Sequence, residues 1–123
     1  MSQDITITKR QFINIILFIR ANLGVPRPGF EIAHHKTNTS YDSINWSKYW
    51  EEHHPSHHFP SKPHTCPSCL KEQDDFVGGH VIVNNKTYIL PVCRKCNSEY
   101  KNSKAERHAF YIKMEETVRA PED

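Results

Sequence analysis

The stretch that decides the fold is "GGHVIVNNKTYILPVCRKCN", Gly78 to Asn97, read together with "CPSC" at Cys66 to Cys69. Within it, "HVIV" and "KTYIL" are β-branched and aromatic runs separated by Asn84 and Asn85. Asparagine tolerates the positive φ angles of a two-residue hairpin turn, so Val81 to Val83 and Thr87 to Leu90 are expected to pair as antiparallel strands. That turn sets His80 opposite Ile89 and Val81 opposite Tyr88. Gly78 and Gly79, just ahead of the histidine, mark a bulge or a close approach of other backbone.

All four cysteines lie in two Cys-x-x-Cys pairs that flank this hairpin. A two-residue spacer lets both thiolates of a pair point at one ion, and four thiolates close a tetrahedral zinc site with no position left for water. Cys66, Cys69, Cys93 and Cys96 are therefore expected to hold one structural zinc. Iron fits the same sulfur set, and a redox cysteine pair is the remaining alternative. The second pair should open a helix running from Cys93 to about Tyr100, where the positive end of the helix dipole favours thiolates.

Working outward, 123 residues leave room for one domain, in which a metal crosslink adds usefully to a modest core. Sixteen Lys and Arg against 14 Asp and Glu give a net charge of +2, too small to announce nucleic-acid binding, so local patches must carry that argument. Paired cysteines without a secretory pattern argue against a disulfide-stapled secreted domain. The longest apolar run, Phe12 to Ile19, is interrupted by Asn14 and flanked by Lys9, Arg10 and Arg20. It falls far short of the roughly 20 residues a membrane span needs. The expectation is a soluble, cytoplasmic protein with no membrane partner.

Thr8 with Gln11 is a capping box, and Phe12, Ile15, Ile16, Ile19 and Leu23 then recur at helical spacing until Gly24 and Pro26, which predicts a helix over 9–23. Ile13 and Leu17 widen its stripe; core packing is the expected use, with an oligomer contact as the alternative. From Val25 to Thr65 the chain is rich in proline, histidine and aromatic residues and shows no long periodic segment, although Trp46, Tyr49 and Trp50 fit one face of a short helix. Five of the nine histidines fall in "EEHHPSHHFPSKPH", residues 51–64, read as a solvated loop or as a second metal site. "AHHK", Ala33 to Lys36, is read as a flexible loop. Ser103 with Glu106 is a second capping box, predicting helix through about Val118 with Phe110 and Met114 on its apolar stripe.

The order of knuckle, hairpin with a histidine on its first strand, and helix opening with Cys-x-x-Cys-Asn resembles the treble-clef HNH endonucleases, also called ββα-metal nucleases. The resemblance covers about residues 64–103, and "PVCRKCNSEYKN", Pro91 to Asn102, is its closest match. It implies an α+β fold: a small treble-clef zinc domain with an additional N-terminal helix. Residues 1–63 would pack on the core, and residues 64–123 would form the HNH-like module with a C-terminal helix, in one compact domain. It further implies that His80 is a general base and that Asn97, or Asn102, is a helix-borne contact to a divalent ion or phosphate, with Mg2+ or Mn2+ as the catalytic ion. Gly79 stands where the family carries a metal-holding side chain, so Asp74, Asp75, His108 or the 53–64 tract would have to supply it. Arg94, Lys95, Lys101, Lys104 and Arg107 would form a phosphate-binding surface. The implied function is nucleic-acid binding with metal-dependent cleavage. The alternative is a non-catalytic zinc-stabilised interaction module, an inhibitor or adaptor, that meets a protein partner through its N-terminal helix or Trp/His-rich segment.

Overall fold

The computed structural model describes residues 7–36, 45–99 and 108–121. At its centre is the expected hairpin, longer than the sequence suggested: β4 (Phe76–Val83) and β5 (Lys86–Cys93) pair along their whole length. Its register sets His80 against Ile89 and Val81 against Tyr88. Asn84 and Asn85 have φ angles of 50° and 64°, the left-handed pair that matches the twist of the flanking strands.

Two further segments complete a five-stranded antiparallel sheet. β1 (Glu31–His35) lies between β4 and β6 (Ala109–Ile112), and β7 (Val118–Arg119) pairs with the far edge of β5. Both additions correct the sequence reading. β1 arises in a segment that showed no regular pattern, because the strand's buried face carries only a small residue and a polar one, Ala33 and His35, while Ile32 lies on the less buried face. The C-terminal helix expected through Val118 is instead β6, a 3-10 turn at Met114–Glu116 and β7. Ala109, Phe110, Tyr111 and Ile112 are all buried, and a four-residue apolar run covered on both faces carries neither helical nor strand periodicity. The capping box at Ser103 and Glu106 lies outside the described residues, as do Tyr100, Lys101, Asn102, Lys104 and Arg107.

The sheet buries side chains on both faces. One holds Val81, Val83, Leu90 and Val92 with Phe110, Ile112 and the cysteines. The other holds Ile89, Val118 and Ala120 beneath α2 (Trp46–His53), whose Trp50 is buried there. α3 (Arg94–Glu99) follows β5 without a break. The two glycines are explained by close approach rather than by a bulge. A Cβ on Gly78 would lie 2.6 Å from the Trp46 carbonyl carbon, and one on Gly79 would overlap Val92 on the opposite face.

α1 (Lys9–Asn22) begins with both bonds of the Thr8–Gln11 capping box. It packs in a way the sequence did not suggest. Its inward side is mixed: Leu17 and Ala21 pack with Ala109, Tyr111, Phe30 and Ile32, while Asn14 Nδ2 donates to the Leu70 carbonyl at 3.2 Å, and Asn22 both donates to the Ala109 carbonyl and accepts from the Ala109 N–H. Ala21 is its one buried residue. The apolar stripe faces out, with Phe12 57%, Ile15 47%, Ile16 38%, Ile19 48% and Leu23 73% exposed. The expectation that this stripe packs in the core is therefore overturned. Asn14 and Asn22 help to fix the orientation together with the Leu17 and Ala21 contacts, because each asparagine pairs with backbone groups of the sheet or knuckle where the helix docks. No described helix is long and apolar enough to cross a membrane.

Candidate metal centre

The first cysteine pair sits in a tight turn between β2 (His64–Thr65) and β3 (Glu72–Gln73), a two-stranded ribbon separate from the main sheet. Cys66 N–H donates to the Lys71 carbonyl at 3.0 Å and Leu70 N–H to the Cys66 carbonyl at 2.8 Å, with Leu70 at φ 62° to close the loop. The second pair stands where β5 runs into α3. Cys93 N–H donates to Cys66 Sγ and Cys96 N–H to Cys93 Sγ, each at 3.4 Å, and Gln73 Nε2 reaches Cys69 Sγ at 3.6 Å. Amide donors aimed at sulfur stabilise thiolates, and they tie one knuckle to the other.

All four sulfurs lie within 4.8 Å of one another, and no disulfide joins them. A tetrahedral ion with bonds of about 2.3 Å needs sulfur–sulfur edges of about 3.8 Å, inside that limit. Hydrogen bonding to Cys69 pushes the Cys66 thiol up to about 12, while the Cys66 and Cys96 thiols hold Cys69 well below the ordinary thiol range. Cys96 is raised, chiefly by Cys66 and Cys69. Four sulfurs this close cannot all carry charge alone, and a divalent cation removes that conflict. The cluster can therefore hold a metal ion such as zinc.

A second cluster, which sequence reasoning missed, braces the first knuckle. Ser68, inside "CPSC", lies between His35 of β1 and His108 at the start of β6, with Oγ 2.7 Å from His35 Nε2 and 3.0 Å from His108 Nε2. His108 Nε2 also lies 2.9 Å from the Ser68 carbonyl, which can only accept, so that nitrogen carries the proton and the Ser68 hydroxyl is free to donate to His35. Burial holds both imidazoles toward the neutral form, with His35 lowered to about 4 by burial and then by the neighbouring His108 and His34. "AHHK" was the only signal for this network, and its reading as a flexible loop is corrected: His35 is a buried strand residue.

The structure does not bring His80 and Asn97 together. His80 shares the face of Gly78, where its ring stands edge-on to Trp46 at 4.4 Å. Asn97 Oδ1 would lie 3.4 Å from a Cβ on Gly79, so it belongs to the opposite face. His80 is 6% exposed, where a general base would need to reach water, and burial followed by the nearby Lys36 charge lowers it to about 4. The proposed suppliers of a missing ligand lie elsewhere. Asp75 pairs with Arg94 at 2.9 Å, five residues before His80 and hence about 16 Å along the strand. His108 is bound to Ser68. In the histidine tract, His53, His54 and His57 donate to the carbonyls of Tyr49, Glu115 and Glu51. Among the described residues the four cysteines are the only group of three or more His, Cys, Asp or Glu whose ligand atoms stand close enough to hold an ion.

Of the five cations expected to meet phosphate, Arg94 and Lys95 are exposed on α3, and Lys101, Lys104 and Arg107 lie outside the described residues. No family model, curated protein or solved structure matches this chain.

Proposed function

We propose that this protein is a non-catalytic interaction module, held together by a structural zinc on Cys66, Cys69, Cys93 and Cys96 in a treble-clef arrangement, that docks a protein partner through α1. The observation that carries the reading is the outward apolar stripe of α1. A monomer gains nothing by exposing Phe12, Ile15, Ile16, Ile19 and Leu23 together, and a contiguous apolar patch of this kind marks an interaction site.

The magnitude is suited to regulated association. Full burial of such a side chain stabilises by about 1.5–3 kcal/mol, and with about half of each surface still exposed, five of them offer about 4–7 kcal/mol to a partner. Association costs about 4–15 kcal/mol in lost freedom, so the stripe alone supports weak binding and needs complementary polar contacts.

The HNH resemblance then concerns the scaffold rather than the chemistry. Metal-assisted hydrolysis needs a base that reaches water beside a divalent ion. A buried His80, on the face away from Asn97 and in no described group of three or more possible metal ligands, does not favour such a place. The discriminating experiment compares the zinc-loaded protein with its Phe12→Gln/Ile16→Gln/Ile19→Gln variant. We expect no magnesium- or manganese-dependent cleavage of DNA or RNA by either, and loss of partner binding only in the variant. Cleavage abolished by His80→Ala would restore the nuclease reading.

A further inference from the structure

The charges around the α1 stripe say what kind of partner fits it. α1 reads "KRQFINIILFIRAN", with three cations, Lys9, Arg10 and Arg20, and no carboxylate. Among the described residues the one ion pair joins Arg94 to Asp75, so the α1 cations are not neutralised there. Arg10 turns inward, its guanidinium 3.4 Å from Thr65 Oγ1. Lys9 and Arg20 are eleven residues apart, which is about three turns and about 16 Å of rise, and helical spacing sets both beside Ile16, between it and the 54% exposed Ile13. The opposite edge, at Ile15, carries no charge from α1 itself and opens on a groove also lined by Lys71, Lys95 and Glu99. Phe12, Ile16, Ile19 and Leu23 follow one another at spacings of four, three and four, the seam pattern of a two-helix contact.

We propose, resting on the docking reading above, that the partner is an acidic amphipathic helix: an apolar stripe that packs on Phe12, Ile16, Ile19 and Leu23, with carboxylates about three turns apart along one flank that meet Lys9 and Arg20. Two other occupants fit less well. A second copy would bring cations to cations, since α1 has no acid to offer in return. A lipid surface would favour tryptophan or tyrosine at the boundary, which α1 lacks, and would not call for the four-three-four seam that Phe12, Ile16, Ile19 and Leu23 form.

The test uses the zinc-loaded full chain and two designed helical peptides with the same leucine and isoleucine seam, one with glutamates three turns apart on a single flank and one with lysines there. Anisotropy titration at about 50 mM salt should show the glutamate peptide binding at least tenfold more tightly, with the preference shrinking as salt screens the pairs. Lys9→Glu/Arg20→Glu should reverse the preference, and an unchanged melting curve for that variant separates recognition from folding. Equal binding of both peptides, abolished by Phe12→Gln/Ile16→Gln/Ile19→Gln, would overturn the acidic partner while leaving the docking face intact. Binding of neither peptide would overturn both. Sedimentation of the chain as a dimer at micromolar concentration, or tighter binding to phosphatidylserine-containing vesicles than to the glutamate peptide, would replace the proposed partner with a second copy or a lipid surface.

Discussion

The orientation of α1 makes an unusual demand on stability measurements: replacing three large apolar side chains should barely matter, while replacing one asparagine should. Phe12, Ile16 and Ile19 are 57%, 38% and 48% exposed, and part of what they still cover is their own helix. Changing all three to glutamine, a comparable helix former, should cost about 0–2 kcal/mol in total. Were the stripe in the core, each substitution would cost about 2–5 kcal/mol, and the three together would exceed the stability of most small domains. Asn22→Ala, in contrast, leaves the Ala109 N–H and carbonyl without their partners and should cost about 1–3 kcal/mol. Urea unfolding followed by far-ultraviolet circular dichroism, with metal content checked, measures all of these on one scale. A triple variant that loses more than about 4 kcal/mol, or fails to fold while Asn22→Ala is unaffected, would refute the outward-facing helix and everything built on it.

Chelation, or Cys93→Ser, should collapse the knuckles, the hairpin end and α3 together, because metal binding at such a site is largely folding energy; one zinc per chain and loss of near-ultraviolet signal on its removal are the readouts. His80 makes stability depend on pH. Its folded form titrates near 4 against 6.5 when unfolded, so its contribution is complete above about pH 6.5 and is lost as pH falls toward 4. It amounts to on the order of 1–3 kcal/mol, and His80→Gln should reduce, without abolishing, the difference between urea midpoints at pH 7 and pH 5.5, because buried His35 and His108 are lowered in the same direction. Gly78→Ala should force the start of α2 off the sheet at a cost of about 1–3 kcal/mol, read as a shift in tryptophan fluorescence, since the new methyl meets Trp46 backbone that has no rotamer to change.

Local chemistry was enough to read the hairpin and the cysteine cluster. Two asparagines that accept positive φ, strand-forming runs on either side and cysteines two residues apart determine a turn, a register and a chelating pair through neighbours in the chain. The Thr8–Gln11 box set the start of α1 for the same reason. Which way α1 faces is a different kind of fact. Its sequence shows an apolar stripe and leaves open what meets it; only the tertiary structure decides, by setting Asn14 and Asn22 against backbone groups from residues 70 and 109. The role of His80 was likewise undecidable from spacing, because alternation along β4 says that Gly79 and His80 face opposite ways but not which face receives α2 and which receives α3. β1 and β6 were invisible for a related reason. Each is short, β1 buries only Ala33 and His35 while β6 is buried throughout, and the two pair across more than seventy residues, a long-range hydrogen-bonded contact that leaves no period in the local sequence.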